Sequence, residues 1–91
     1  MTRLDDIAAW YQAHLDTQGD TPVTDAHHVI LSRRNTWNRR ASQPDATADT
    51  LLALAQWDAA MLILAKSARD VAVPGWRDEW TGAYEEYLPE P

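Results

Sequence analysis

The chain has no cysteine, no phenylalanine and only three glycines. Without thiols there can be no disulfide, no zinc site built on thiolates and no cysteine nucleophile. Their absence fits a reducing cytoplasm. Three glycines rule out a glycine-rich phosphate cradle, and no nucleophile-elbow motif is present. Long apolar runs are missing too. The longest, "AAMLILA" at 59–65, has seven residues, against the roughly 20 that span a bilayer. The opening "MTRLDDIAAW" carries charges where a signal peptide needs an apolar stretch. Positive charge is scarce: eight Lys and Arg face fourteen Asp and Glu, for a formal net charge of −6. That balance disfavours non-specific nucleic-acid or membrane binding by the surface as a whole. These absences lead us to expect a soluble, cytoplasmic, non-enzymatic protein with no membrane association, no cofactor and no metal.

What the chain does have is aromatic bulk and helical periodicity. Its 91 residues are enough for one small domain (1–91), and it holds five Trp and three Tyr. Leu4, Ile7, Ala8, Tyr11 and Leu15 follow the helical i, i+3, i+4, i+7 spacing over 3–16. Thr2 with Asp5 matches a capping pattern, and Gly19 is a plausible stop. Thr24 is placed to cap a short helix over 24–31, with a third short helix over 34–41 anchored by Trp37. "SQPD" then breaks the chain. The Leu- and Ala-rich stretch 46–70 carries the strongest helical signal. After the "VPGW" turn, a last helix over 76–88 would place Trp76, Trp80, Tyr84 and Tyr87 on one face. No β alternation is visible. The expected architecture is all-α, a compact bundle of four or five helices.

The segment "HHVILSRRNTWNRRAS" (27–42) concentrates Arg33, Arg34, Arg39 and Arg40 and contains no carboxylate. On a helix beginning near Arg34, Asn35 and Asn38 lie on adjacent turns of one side, and Arg39 is four residues beyond Asn35. Arg and Asn are the side chains whose forks match guanine and adenine edges in the major groove. Trp37 would point into the core and anchor them.

Residues 24–55 resemble the helix-turn-helix of the Cro/C1 (XRE-like) repressor class of bacteria and their phages. The likeness rests on Arg34, Thr36, Trp37, Arg39 and Ser42, followed by Thr50, Leu51, Leu52, Leu54 and Ala55. The resemblance implies a helix-turn-helix over 24–42 in a small, dimeric transcriptional regulator that binds double-stranded DNA. Arg33, Arg34, Asn35, Asn38, Arg39 and Arg40 would then make the DNA contacts. The family usually has a small residue where His27 stands, Gly at the turn where Leu31 stands, and an apolar residue where Ser32 stands.

Other readings accompany this one. The four arginines could form a solvated face paired with the abundant carboxylates, a weak contribution to stability. The acidic C-terminal segment, with Trp76, Trp80, Tyr84 and Tyr87, could dock on a basic protein partner, as an inhibitor, an adaptor or a DNA mimic would. The same aromatic face could instead pack into the domain's own core. Adjacent His27 and His28 project about 100° apart on a helix, so they do not converge on a metal. Asp58, inside the apolar long helix, is expected to mark its solvent-facing strip and would be costly if buried.

Overall fold

A computed structural model describes residues 3–82 of the chain. Three helices, α1 (Arg3–Asp16), α2 (Pro22–Ala41) and α3 (Ala48–Asp70), are followed by a single 3-10 turn, Asp78–Trp80. The chain is thus all-helical, with no strand among the described residues. Among the described residues there are three helices where four or five were expected over the whole chain, and two predicted elements account for the difference.

The first difference is in the middle of the chain. The predicted helices 24–31 and 34–41 are one continuous helix, α2, running without a break through Leu31 and Ser32. No residue between Pro22 and Ala41 is Gly or Pro, so nothing interrupts the hydrogen-bond ladder. Leu31 is fully buried, which gives the unbroken helix an apolar anchor at the position expected to turn. The cap lies earlier than expected. Thr21 accepts a hydrogen bond from the Thr24 amide at 3.1 Å, and the Thr24 hydroxyl accepts one from the Thr21 amide at 2.9 Å. With Pro22 at the first helical position, this reciprocal pair satisfies two amides that an α-helix leaves open.

The second difference is at the C-terminus. Only the 3-10 turn and two helical residues, 81–82, stand where the 76–88 helix was expected to begin. The remainder of that prediction, with Tyr84 and Tyr87, lies outside the described residues. Two elements match closely: α1 covers the predicted span within a residue, and α3 fills 48–70 of the predicted 46–70, capped by Thr47.

The core forms where the three apolar stripes meet. Ile7, Leu31, Met61 and Leu62 are wholly buried, and Leu4, Ala8, Tyr11, Leu15, Ala65, Ala68 and Trp80 complete the cluster. The polar contacts of α1 with α2 join early residues of one to late residues of the other, so these helices are antiparallel. The short loop 42–47 makes α2 and α3 antiparallel as well.

α3 ends in a left-handed residue, Ala72 at φ 62°. The Val73 amide donates to the Ala68 carbonyl (3.1 Å) and the Ala72 amide to the Arg69 carbonyl (2.9 Å), the paired closure of a Schellman motif. This turn sends residues 73–80 back onto α1. There the Trp10 indole donates to the Pro74 carbonyl at 2.8 Å. Gly75, at φ 99°, has no side chain because a Cβ would meet the Trp10 indole nitrogen at 3.0 Å.

Candidate functional site

The basic segment divides into an inner and an outer half. Arg34, on the α2 stripe that faces the bundle, is 3% exposed. Its Nε donates to Asp58 Oδ1 at 2.7 Å and one terminal nitrogen donates to Asp5 Oδ1 at 2.8 Å. Asn38 donates to the same Asp5 oxygen at 3.1 Å. One guanidinium thus ties all three helices together. Asp58 is 4% exposed. Burial pushes its carboxyl above the ordinary carboxylate range. The Arg34 hydrogen bond and charge pull it back down, and Asp5 pushes it further up.

The sequence placed Arg34 and Asn38 among residues turned toward DNA. The structure corrects this for both: their polar groups are committed to Asp5 and, for Arg34, to Asp58. The physical reason is economy of charge. A guanidinium on the inner side of a continuous helix meets two carboxylates, and an ion buried without such partners costs several kcal/mol.

Beside this triad, α1 and α2 leave an open cleft of about 350 Å³, lined by Ala8, Ala9 and Gln12 of α1 and Asn35 and Arg39 of α2 together with Asp5, Arg34 and Asn38. Farther along the same seam, Tyr11 Oη lies 2.9 Å from His27 Nδ1, and Gln12 Nε2 donates to His28 Nδ1 at 3.0 Å. Burial raises the Tyr11 phenol above its ordinary range. The two histidines are therefore parts of the helix seam. Among the described residues, no group of three His, Asp or Glu side chains could hold a metal ion.

The outer half is different. Arg33, Arg39 and Arg40 are exposed, with the Arg40 guanidinium 4.8 Å from the centre of the Trp37 ring. Residues 26–44 contain no carboxylate, and residues 50–69 contain only Asp58. The body of the α2–α3 hairpin therefore exposes Arg33, Arg39, Arg40 and Lys66 and no acidic group. All other acidic residues of the chain lie on α1, in loops, at helix ends or in the C-terminal segment.

This hairpin has an open side. The Arg34–Asp58 bond joins its two helices. α1 occupies one side of the seam. Helical periodicity brings Ile30 and Trp37 of α2, and Ala53, Trp57, Ala60 and Leu64 of α3, to the other side.

All six of those residues are half-buried. Of the partly buried apolar side chains, Trp10, Leu64, Val73 and Trp76 pack against the main core cluster. Ile30, Trp37 and Trp57 are not in that set. Val29 and Ile63, exposed at 54% and 56%, stand at the rims. Sequence reasoning missed Trp57, Ile30 and Ile63 as surface candidates. The periodicity of α3 is apolar around most of its circumference, so it does not say which stripe the bundle covers.

Of the aromatic face expected at the C-terminus, the two described residues, Trp76 and Trp80, pack toward α1. Trp80 is 4% exposed. It meets Trp76 edge-on at 5.2 Å, and Trp76 meets Trp10 edge-on at 5.4 Å. Arg69 and Arg77 lie 5.9 and 5.7 Å from the Trp76 and Trp80 ring centres. Trp80 Nε1 is a buried donor with no partner among the described residues. Trp76 is half-buried.

α3 is the one described helix long and apolar enough, by length and composition, to cross a membrane. Its most apolar 18-residue stretch has a mean hydropathy of 1.3, and 22% of that stretch is buried. The run-length criterion applied to the sequence missed this because Gln56, Trp57 and Asp58 interrupt the run. No family model matches the chain, and neither curated proteins nor solved structures provide a match.

Proposed function

We propose that the protein is a protein-binding module, an adaptor or inhibitor rather than an enzyme, that engages its partner through the open side of the α2–α3 hairpin. The observation that carries this reading is the pair of half-buried tryptophans, Trp37 and Trp57. They lie along a seam outside the core, on a face with exposed cations and no exposed carboxylate. Trp and Arg are the residue types that dominate the energy of protein interfaces when they sit in partly formed pockets. A seam that leaves apolar rings half in water gains by being covered.

A DNA-binding regulator, the reading that the sequence resemblance suggested, draws on the same cations. Arg33, Arg39 and Arg40 support it. Arg34 and Asn38 do not, being engaged by Asp5 and Asp58, and α2 is continuous where that motif turns. The interaction reading accommodates all of these residues, and also the Trp37–Trp57 seam, which phosphate contacts would not use.

The test places a photo-crosslinking residue at position 63, on the rim, or at position 9, on exposed α1, in the cell that naturally makes the protein. Expected are discrete protein adducts from position 63 and none from position 9. Equal labelling from both would count against the proposed face. The DNA reading is checked in parallel by retention of duplex at low salt. Steep release with rising salt, weakened by Arg33→Ala and Arg40→Ala, would return the function to DNA.

A further inference from the structure

We infer that the occupant of this seam is an amphipathic helix carrying acidic residues, supplied by a different protein, which lies along α2 and α3 opposite α1 and completes a four-helix bundle. The inference rests on the protein-binding reading above and specifies the partner's chemistry.

Three features select this occupant. The first is shape. Two antiparallel helices side by side leave a groove that accepts a third helix at an interaxial distance of about 8–10 Å. α1 fills this position on one side, and no described element fills it on the other. The stripe from Ala26 to Arg40 is about 21 Å long at 1.5 Å per residue, room for about four turns of helix. A helix satisfies its own backbone groups, whereas an extended strand or loop would press unpaired amides and carbonyls against Ile30, Trp57 and Leu64.

The second feature is the apolar floor. Ile30 and Trp37 of α2, and Trp57 and Leu64 of α3, recur at seven-residue spacing and are half-buried, so the matching surface is an apolar stripe rather than a single inserted side chain.

The third is charge. Arg33 and Arg40 flank Trp37 along the α2 rim, and no exposed carboxylate lies on the hairpin body to neutralise them. Acidic flanks on the incoming helix would.

The same charge pattern selects against other occupants. A second copy meeting this face symmetrically would set the patch against itself, placing arginines opposite arginines. Duplex DNA would satisfy the arginines and leave the tryptophan seam uncovered.

The experiment uses the full chain and two synthetic four-turn peptides. Both carry leucines along one stripe, flanked by glutamates in one peptide and lysines in the other. Affinity is read by the anisotropy of labelled peptide, and the site by the five indole N–H resonances. The glutamate peptide should bind about tenfold tighter or better, shifting the resonances of Trp37 and Trp57 and leaving those of Trp10, Trp76 and Trp80 in place. The double variant Arg33→Glu, Arg40→Glu should reverse the preference. Both positions are exposed, so its thermal unfolding should match that of the parent and separate lost binding from lost fold.

Equal affinity for both peptides with the same two indoles shifting would overturn the acidic partner and leave the protein-binding face standing. No shift with either peptide would overturn the helix-accepting face altogether. If the same two indoles respond to protein concentration alone, the seam belongs to a second copy. If they respond instead to anionic vesicles or to duplex DNA, it belongs to that surface. Each of these results replaces the partner inferred here.

Discussion

Arg34 and Arg33 are neighbours in the chain and opposites in the fold. Arg34 faces the α1 side of α2, is buried and is held by two carboxylates from two other helices. Arg33 faces the other way, exposed, on a surface with no acidic group to meet it. The α1–α2 seam is thus polar and internally satisfied, while the outer α2–α3 seam is apolar, half-open and rimmed by positive charge. The difference teaches that a run of arginines cannot be read as one site. The helix divides it, and whichever half meets the protein's own carboxylates is lost to any partner.

The sharpest way to break this comparison is to exchange each arginine for a residue of similar length. Arg34→Met should destabilise the fold by about 3–5 kcal/mol, because Asp5 and Asp58 are left facing each other without a cation. Arg33→Met should change stability by less than about 0.5 kcal/mol, as exposed substitutions usually do. Urea unfolding of both variants decides it. Equal midpoints would mean that the triad does not hold the helices.

A similar contrast holds for the tryptophans. Trp80→Ala should cost about 3–5 kcal/mol, as truncation of a buried ring does. Trp37→Ala, half in water already, should cost well under half of that and act mainly on binding. Thermal unfolding of the two variants tests the ranking.

Asp58 sharpens the inner side further. Asp58→Asn should cost less than Arg34→Met near neutral pH, because Arg34 keeps Asp5 as a partner whereas Arg34→Met leaves two carboxylates without a cation. The pH dependence has a definite sign. The folded-state pKa is raised above the ordinary 3.8, so the folded chain holds this proton more tightly than the unfolded one. The stabilising contribution is complete below the ordinary carboxylate value and falls as pH rises through the raised one. Wild type should therefore gain on the Asn variant as pH is lowered through that window. Unfolding midpoints measured across the acidic range test this. Wild type gaining as pH rises would show that attraction by Arg34 outweighs burial.

A further small effect lies at the end of α3, on neither seam. Ala72→Gly should stabilise by up to about 1 kcal/mol, since alanine is strained in the left-handed conformation and glycine is not.

Much of the helical architecture was legible in local patterns. The apolar spacing of α1 and the Leu/Ala run of α3 located both helices within a residue or two. The segment over 24–41 was legible as helix but not as one helix. A resemblance to a motif that turns near Leu31 outweighed the plain fact that no Gly or Pro stands there. The C-terminal aromatics were expected on one helix face, and nothing local could show that Trp76 and Trp80 pack against Trp10. Asp58 was recognisable as costly if buried. Its partner, 24 residues away, was not, because pairing at that distance depends on how helices stack.

By itself, then, the sequence determined that this chain is helical, free of thiol chemistry, acidic at its ends and basic in its middle, because propensity, periodicity and charge are properties of short segments. Only the tertiary structure decided which arginines are consumed and which remain, and which tryptophans are core and which lie in an open seam. Those outcomes depend on which face of each helix meets another helix, and a face that is apolar nearly all round, as on α3, leaves that choice to packing.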